Sequence, residues 1–512
     1  MKYIVWSVFV AVILTSISFM TIKDYGITWD EPIYFSGAGT YISWMKHPQM
    51  STRDAAFRID EHRDIHPPFV KLIAGITHEL FTNTFQLFNN TMGYRSSVLV
   101  FVFFGMMLFT YVAIRMFSTL IGIGAACCLY FLPHIFFLTH VVTLDYAVMM
   151  LWFITVVSVM KGCDDKRFFV FAGMTLGLSF LTKLHGFLLC IPLCIYWIWY
   201  NRTLFRKRKF TLFFQKIVKE MGLVFGIACA VMFIFWPWLW TSPIQNMQEY
   251  FSVQLSHGDI PVYFLGNLYT HAPWYYTPFM FFATTPVFFC VVFSVGVIWI
   301  MFRGTEKERW MLVHMMIPLI FFSLPFVYRY DGVRLFLPAY PFAVLVAAAG
   351  IRHTIQSIKH IGIKIIIGWC IAGWSLWTVI ASIVSIHPFE QSYYNEIIGG
   401  VDGAKEKGLE LEYWGSSYLS VLPYMNAHKG TMFCVIPTTQ PFYYYQAMGQ
   451  IEGGVIFESG DACEYAVVLM RQGFFSQFLG ITEIVADTTP LYAVTVSHTP
   501  IIGVYQLHHQ EK

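Results

Sequence analysis

Charge is what this sequence has least of. Asp, Glu, Lys and Arg make up 12% of its 512 residues, and 57% are hydrophobic. Ordinary soluble domains carry roughly 25% charged residues, so a simple globular enzyme is excluded. Also missing is any Asp, Glu, Lys or Arg near the middle of the long apolar runs. Ion-coupled transporters keep ionisable groups at that depth, which weakens a transporter reading. No Cys/His spacing of the metal-site kind occurs. No A-x-A-like cleavage site follows the apolar run 3–22, so it reads as a retained first span rather than a signal peptide. The net charge of +3 says little, and no nucleic-acid partner is expected.

What is present is a series of apolar runs near the ~20 residues that cross hydrocarbon as a helix. Fifty Phe, 29 Tyr and 16 Trp suit aromatic-rich membrane interfaces. Spans are expected at about 3–22, 96–114, 118–138, 146–160, 168–182, 184–200, 217–236, 278–302, 311–328, 335–351 and 365–386. The chain thus reads as an all-α polytopic membrane protein of about 11 transmembrane helices. Lys and Arg crowd the connections 161–167, 201–216, 303–310 and 352–364. All four fall on one side under this count, and the positive-inside rule makes that side cytoplasmic.

The outer face then receives the loop 23–95, the turn 139–145, the loop 237–277, the turn 329–334 and the tail 387–512. Within the first loop, 69–81 is apolar enough for a helix on the membrane surface. The tail has strand-like runs at Thr431–Pro437, Tyr465–Met470 and Ile501–Leu507, separated by Gly and Pro. It is expected to form a small α/β domain on the outer face. Two domains follow: 1–386 in the membrane and 387–512 outside it. Of ten cysteines only Cys434 and Cys463 lie in the outer tail. An oxidising compartment permits a bridge between them, but two buried free thiols fit as well.

Two adjacent carboxylates, Asp30 and Glu31, stand just beyond the first span. The plain reading is a solvated cap on a helix that Pro32 begins. Their company argues for more: His66 and Lys71 in the same loop, Asp145 at the mouth of one span, Lys183 at the tip between two others, and Arg334 in a further outer turn. Each basic residue alone suits a snorkelling position; together they suggest an anion held beside a carboxylate base.

Thr28-Trp29-Asp30-Glu31-Pro32-Ile33-Tyr34-Phe35, followed by Asp64-Ile65-His66-Pro67-Pro68-Phe69-Val70-Lys71, resembles the first outer loop of protein O-mannosyltransferases and their bacterial relatives. These are polyprenyl-phosphate-dependent glycosyltransferases of the GT-C fold. Leu181-Thr182-Lys183, Tyr330-Asp331-Gly332-Val333-Arg334, Ser392-Tyr393-Tyr394-Asn395-Glu396 and Tyr413-Trp414-Gly415 are similar to the bacterial branch, which includes aminoarabinose transferases. The resemblance implies inverting transfer of a sugar, mannose being one candidate, from a polyprenyl-phosphate-linked donor to an acceptor hydroxyl. The setting it implies is a bacterial inner membrane with the site facing the periplasm. Asp30 would be the base and Glu31 its orienting neighbour. His66, Lys71, Lys183 and Arg334 would bind the donor phosphate. Asp145 would orient the acceptor or hold a divalent cation, and nothing in the residues decides whether a metal is used. Protein, glycolipid and glycan acceptors stay open. The rival readings are a flippase or transporter of lipid-linked sugars and a non-catalytic scaffold.

Overall fold

In the computed structural model, residues 1–59, 64–256, 260–458 and 463–507 are described. Helices dominate. Among the described residues, six helices are long and apolar enough to cross a membrane: Lys2–Asp24, Asn90–Met116, Leu144–Gly162, Phe210–Phe235, Arg334–Ser357 and Ile361–Val384. Tyr276–Ala283 and Val287–Arg303 make a seventh if taken as one span bent by 119°. The bend falls at Thr284–Pro286, where proline cannot continue the helical hydrogen bonding. Shorter apolar helices occupy Thr119–Tyr130, Arg167–Phe180 and His185–Tyr200, and Glu306–Phe321 completes the set. Each of the eleven expected segments therefore meets a helix, some of them too short to span alone.

Local signals explain the starts. The Asn89 side chain accepts from the Met92 amide, Thr143 from Asp145, and Thr305 with Glu308 forms a reciprocal capping box. Burial sorts the bundle into layers. The most apolar stretch of Arg334–Ser357 is 89% buried, against 12% for Ile361–Val384; the first is the hub and the second a peripheral helix.

The connection 25–89 is not a loose one where it is described. Glu31–Lys46 and Phe69–His78 form helices that pack on each other and on Asn90–Met116. Gly75 lets the backbones close, since a Cβ there would lie 2.8 Å from the Ala38 carbonyl oxygen. The surface helix expected over 69–81 is thus anchored on one side by Val70, Ala74 and Gly75, while Ile76 and Leu80 remain exposed.

Among the described residues the strands are β1 (Val262–Phe264), β2 (Asn267–Tyr269), β3 (Met432–Ile436), β4 (Ile456–Glu458), β5 (Tyr465–Leu469), β6 (Tyr492–Val496) and β7 (Thr499–Gln506). The first two form a small hairpin. The tail sheet runs β4-β3-β5-β7-β6, parallel across β4-β3-β5 and antiparallel across β5-β7-β6. A disulfide joins Cys434 in β3 to Cys463 just before β5. The tail grips the bundle rather than hanging from it. The Asn395 side chain donates to the Phe282 and Thr285 carbonyls at 2.6 and 2.8 Å, holding the bent helix pair. One continuous apolar core includes residues of both bundle and tail.

Candidate active site

Asp30 precedes the helix Glu31–Lys46 but makes no side-chain capping bond. Its Oδ2 instead accepts from Trp414 Nε1 at 3.0 Å and from Arg334 Nη2 at 3.1 Å. Oδ1 has no donor among the described residues. The side chain keeps 23% of its surface exposed, against 1% for Asp145 and 3% for Asp331. The cap reading therefore fails for Asp30. Burial raises its carboxyl above the ordinary range, the Arg334 guanidinium lowers it, and the Asp331 and Asp145 carboxylates raise it further.

Arg334 is the hinge of the cluster. Its Nε donates to Asp145 Oδ2 at 3.0 Å, Nη1 to Asp331 Oδ2 at 2.6 Å, and Nη2 to Asp30. The guanidinium stacks 3.8 Å from the centre of the Trp414 ring. Lys183 donates to Asp145 Oδ1 at 2.7 Å. Arg471, from the end of β5, donates to Asp331 Oδ1 at 2.7 Å and to the Tyr413 carbonyl at 2.7 Å, and lies over Trp29 and Phe474. Three carboxylates thus face three cations, which lets so many buried charges coexist. The turn presenting Arg334 needs left-handed backbone at Asp331 (φ 54°) and Gly332 (φ 61°); the Tyr276 hydroxyl accepts the Gly332 amide at 2.9 Å.

A guanidinium has five N–H donors and an ammonium three. Carboxylates occupy three of the first and one of the second. Two N–H bonds on each of Arg334 and Lys183 have no partner among the described residues.

Glu31, expected to orient the base or acceptor, has neither oxygen free for an acceptor and can act on Asp30 only through the backbone. It is fully buried, and Arg95 grips both its oxygens at 2.8 and 2.7 Å. The Thr28 and Val142 amides donate to it as well, each at 3.0 Å. Arg95 in turn binds the carbonyls of Ile22, Tyr25 and Gly26. Glu31 is saturated and holds the exit from the first helix in shape. Lys71, expected at the phosphate, is likewise completely buried, ion-paired to Asp64 and donating to the His66 carbonyl at 2.7 Å. Burial lowers its pKa against the opposing pull of Asp64. It locks the His-Pro-Pro turn rather than joining the cluster. The His66 ring lies 6.2 Å from that of Tyr34. Burial pushes the Tyr34 phenol up, and the Asp30, Asp145 and Asp64 carboxylates push it further.

Asp145 offers little to a metal. Its oxygens are taken by Lys183, Arg334 and the Thr143 hydroxyl, and two neighbouring cations oppose a third. Among the described residues no three His, Cys, Asp or Glu side chains gather to hold an ion. The donor set does not fit a divalent cation.

Trp414, Asp331 and Arg471 were not among the expected site residues. Two of them lay within quoted motifs; Arg471 had only the weak signal of a cation ending an apolar strand. Nearby, burial raises Glu410 and Glu412 to about 7 each. The Glu412 Oε1 accepts from the Trp414 and Gly415 amides at 3.1 and 2.7 Å, which positions the Trp414 ring.

Residues 65–240 match the family described as dolichyl-phosphate-mannose-protein mannosyltransferase. Among solved structures, the chain is similar to ArnT from Cupriavidus metallidurans bound to undecaprenyl phosphate, with TM-score 0.53 and 13% identity over 98% of each chain. It is also similar to the apo state of that protein, with TM-score 0.52 and 13% identity over 98% of this chain and 97% of that one. A comparison with curated proteins gives no match. The fold is thus that of ArnT, the GT-C fold, and with six helices apolar and long enough to cross a membrane the chain is a multi-pass membrane protein.

Proposed function

We propose, from the shared GT-C fold and the mannosyltransferase match, that this protein moves a sugar from a polyprenyl-phosphate-linked donor to an acceptor hydroxyl. The observation that carries the reading is Asp30: one carboxylate oxygen pinned by Trp414 and Arg334, the other open on a partly exposed face. A hydroxyl bound at Oδ1 gives its proton to that oxygen while its own oxygen attacks the anomeric carbon. The bond from that carbon to the donor phosphate breaks on the opposite side, so configuration inverts. The charge that develops on the leaving phosphate falls to the spare N–H groups of Arg334 and Lys183, where charge-assisted bonds are strongest. Asp145 and Asp331 hold those cations in place, and Glu31 fixes the backbone that carries Asp30.

The architecture we propose for this has eleven spans, residues 1–386 as the membrane unit and 387–512 as a domain on the outer, periplasmic face of a bacterial inner membrane. ArnT was solved with undecaprenyl phosphate, which supports a carrier of that kind. A mannosyl donor fits the family match, and acceptor hydroxyls of protein, glycolipid or glycan all suit the open oxygen. The test is transfer of radiolabelled sugar from polyprenyl-phosphomannose by liposome-reconstituted protein. Asp30→Asn, which keeps an oxygen for Trp414 and Arg334 but cannot take the proton, is expected to abolish transfer while donor binding survives. Full activity in that variant would sink the assignment.

A further inference from the structure

Three helices carry a residue of the Asp30 region at one end and line a separate cavity with the other. They run from Arg95 to Arg115, from Asp145 to Lys161 and from Arg334 to Arg352. At 1.5 Å per residue these intervals are about 30, 24 and 27 Å, close to the thickness of a hydrocarbon core. The cavity therefore sits at the opposite membrane boundary, the end that bears the basic connections. Met106, Phe109 and Trp152, each no more than 1% exposed, fill the bundle between, so it is not an extension of the Asp30 site.

The cavity encloses about 730 Å³. Its inner wall is apolar and aromatic, with Phe153, Val157, Trp199 and Trp310 among the lining side chains. Tyr111, Phe168 and Phe171 also line it and are exposed on the bundle surface, which opens the cavity sideways toward lipid. Its mouth carries Arg115, Lys161, Lys307 and Arg352 against Asp164, Glu306 and Glu308. Two of those acids are engaged already. Glu308 accepts from the Thr305 amide at 2.7 Å and faces Arg352 at 3.6 Å, while Glu306 meets Arg202 at 3.3 Å. The side chains of Lys161 and Lys307 have no hydrogen-bond or ion-pair partner among the described residues. An apolar chamber open to lipid with unspent cations at its rim matches one kind of molecule, an amphiphile with a negative head.

We propose that this cavity binds an anionic phospholipid of the leaflet opposite the Asp30 site. The acyl chain enters between the exposed aromatics, and the phosphate rests at the lysine-bearing mouth. This does not depend on the glycosyl-transfer reading, and the test reads lipid binding alone. Native mass spectrometry of the full chain, incubated with phosphatidylglycerol or phosphatidylcholine, should show preferential retention of phosphatidylglycerol. Reversing both lysines (Lys161→Glu with Lys307→Glu) should cut that retention by roughly fivefold per charge. Val157→Trp, which fills the chamber and leaves the charges alone, should also reduce it. Lys207→Glu with Arg208→Glu, in a basic connection that does not line the cavity, should change nothing. Equal retention of the two lipids, or an equal loss from the Lys207/Arg208 pair, would show only general attraction to a basic surface and overturn the proposal. So would displacement of phosphatidylglycerol from the wild-type protein by polyprenyl phosphate, which would make the cavity a carrier site.

Discussion

Asp30 and Glu31 are neighbours in sequence, both acidic and both paired with arginine, yet their networks have opposite character. Around Glu31 four strong donors meet two oxygens, every contact is buried, and the partner arginine spends its remaining N–H groups on three carbonyls. Around Asp30 one oxygen is held and the other is open, and the shared guanidinium keeps donors in reserve. A saturated buried pair has no free position for a substrate and serves to hold shape. A half-satisfied acid costs stability, and the natural return is chemistry. The difference teaches that what sets Asp30 apart in this loop, and makes it our proposed base, is incompleteness of bonding rather than charge.

The comparison breaks most directly with paired substitutions. Asp30→Asn should lower transfer by roughly 10²–10⁴-fold, the usual worth of a general base, with little change in thermal stability. Glu31→Gln should do the reverse: loss of a buried ion pair costs about 3–5 kcal/mol when one partner is left alone, while the folded fraction still turns over. Melting curves beside transfer assays on both variants decide the matter. If Glu31→Gln loses turnover without losing stability, Glu31 belongs to the chemistry after all. Replacing both partners, Glu31→Gln with Arg95→Met, removes the unpaired charge but orphans the carbonyls of Ile22, Tyr25 and Gly26, so it should not restore the wild-type melting point.

Much of this arrangement could be read from the sequence, and the failures have a common cause. The apolar helices announced themselves because lipid demands long unbroken runs. The strands at 432–436 and 465–469 announced themselves through short apolar runs bounded by Gly and Pro. Asp30, Asp145, Lys183 and Arg334 were picked out, and the structure links them in one chain of hydrogen bonds, Asp30 to Arg334 to Asp145 to Lys183. Glu31 and Lys71 were picked out by the same reasoning and are placed elsewhere. What separates the two groups is partner choice over long sequence distances: Arg95 lies 64 residues from Glu31, and Val142 lies 111 away. No local pattern encodes that. Arg471 reaches Asp331 across 140 residues, from a tail that composition alone presents as a separate domain.

A third prediction separates tail stability from site chemistry. The Cys434–Cys463 bridge closes a 29-residue separation, worth roughly 3–4 kcal/mol in a chain-entropy estimate. Replacing both cysteines with alanine should lower the unfolding midpoint of the tail, read by near-ultraviolet circular dichroism. Transfer at low temperature should be nearly unchanged, since neither cysteine contacts the Arg471–Asp331 pair. Unequal thiol counts before and after reduction would confirm the bridge in the isolated protein; equal counts would remove it.

The smallest effect is also the sharpest, because it has a sign. Arg334 lowers the pKa of Asp30, whereas burial, Asp331 and Asp145 raise it. A base must be ionised to act, so activity should rise as pH climbs through the Asp30 pKa and fall away below it. Removing the guanidinium in Arg334→Gln takes away the stronger of the two lowering cations and leaves Lys183 alone against burial, Asp331 and Asp145, so the acid limb of the rate profile should move to higher pH. Asp331→Asn removes a raising carboxylate and should move the limb to lower pH. The same Arg334 variant loses donor contacts worth roughly 1.5–3 kcal/mol, so donor use should also drop by about one to two decades at the optimum. A site in which Arg334 served only as structural packing would lose activity by the same factor at every pH. Opposite displacements in the two variants are what a base poised between these charges requires, and displacements in the same direction would place the titrating group elsewhere.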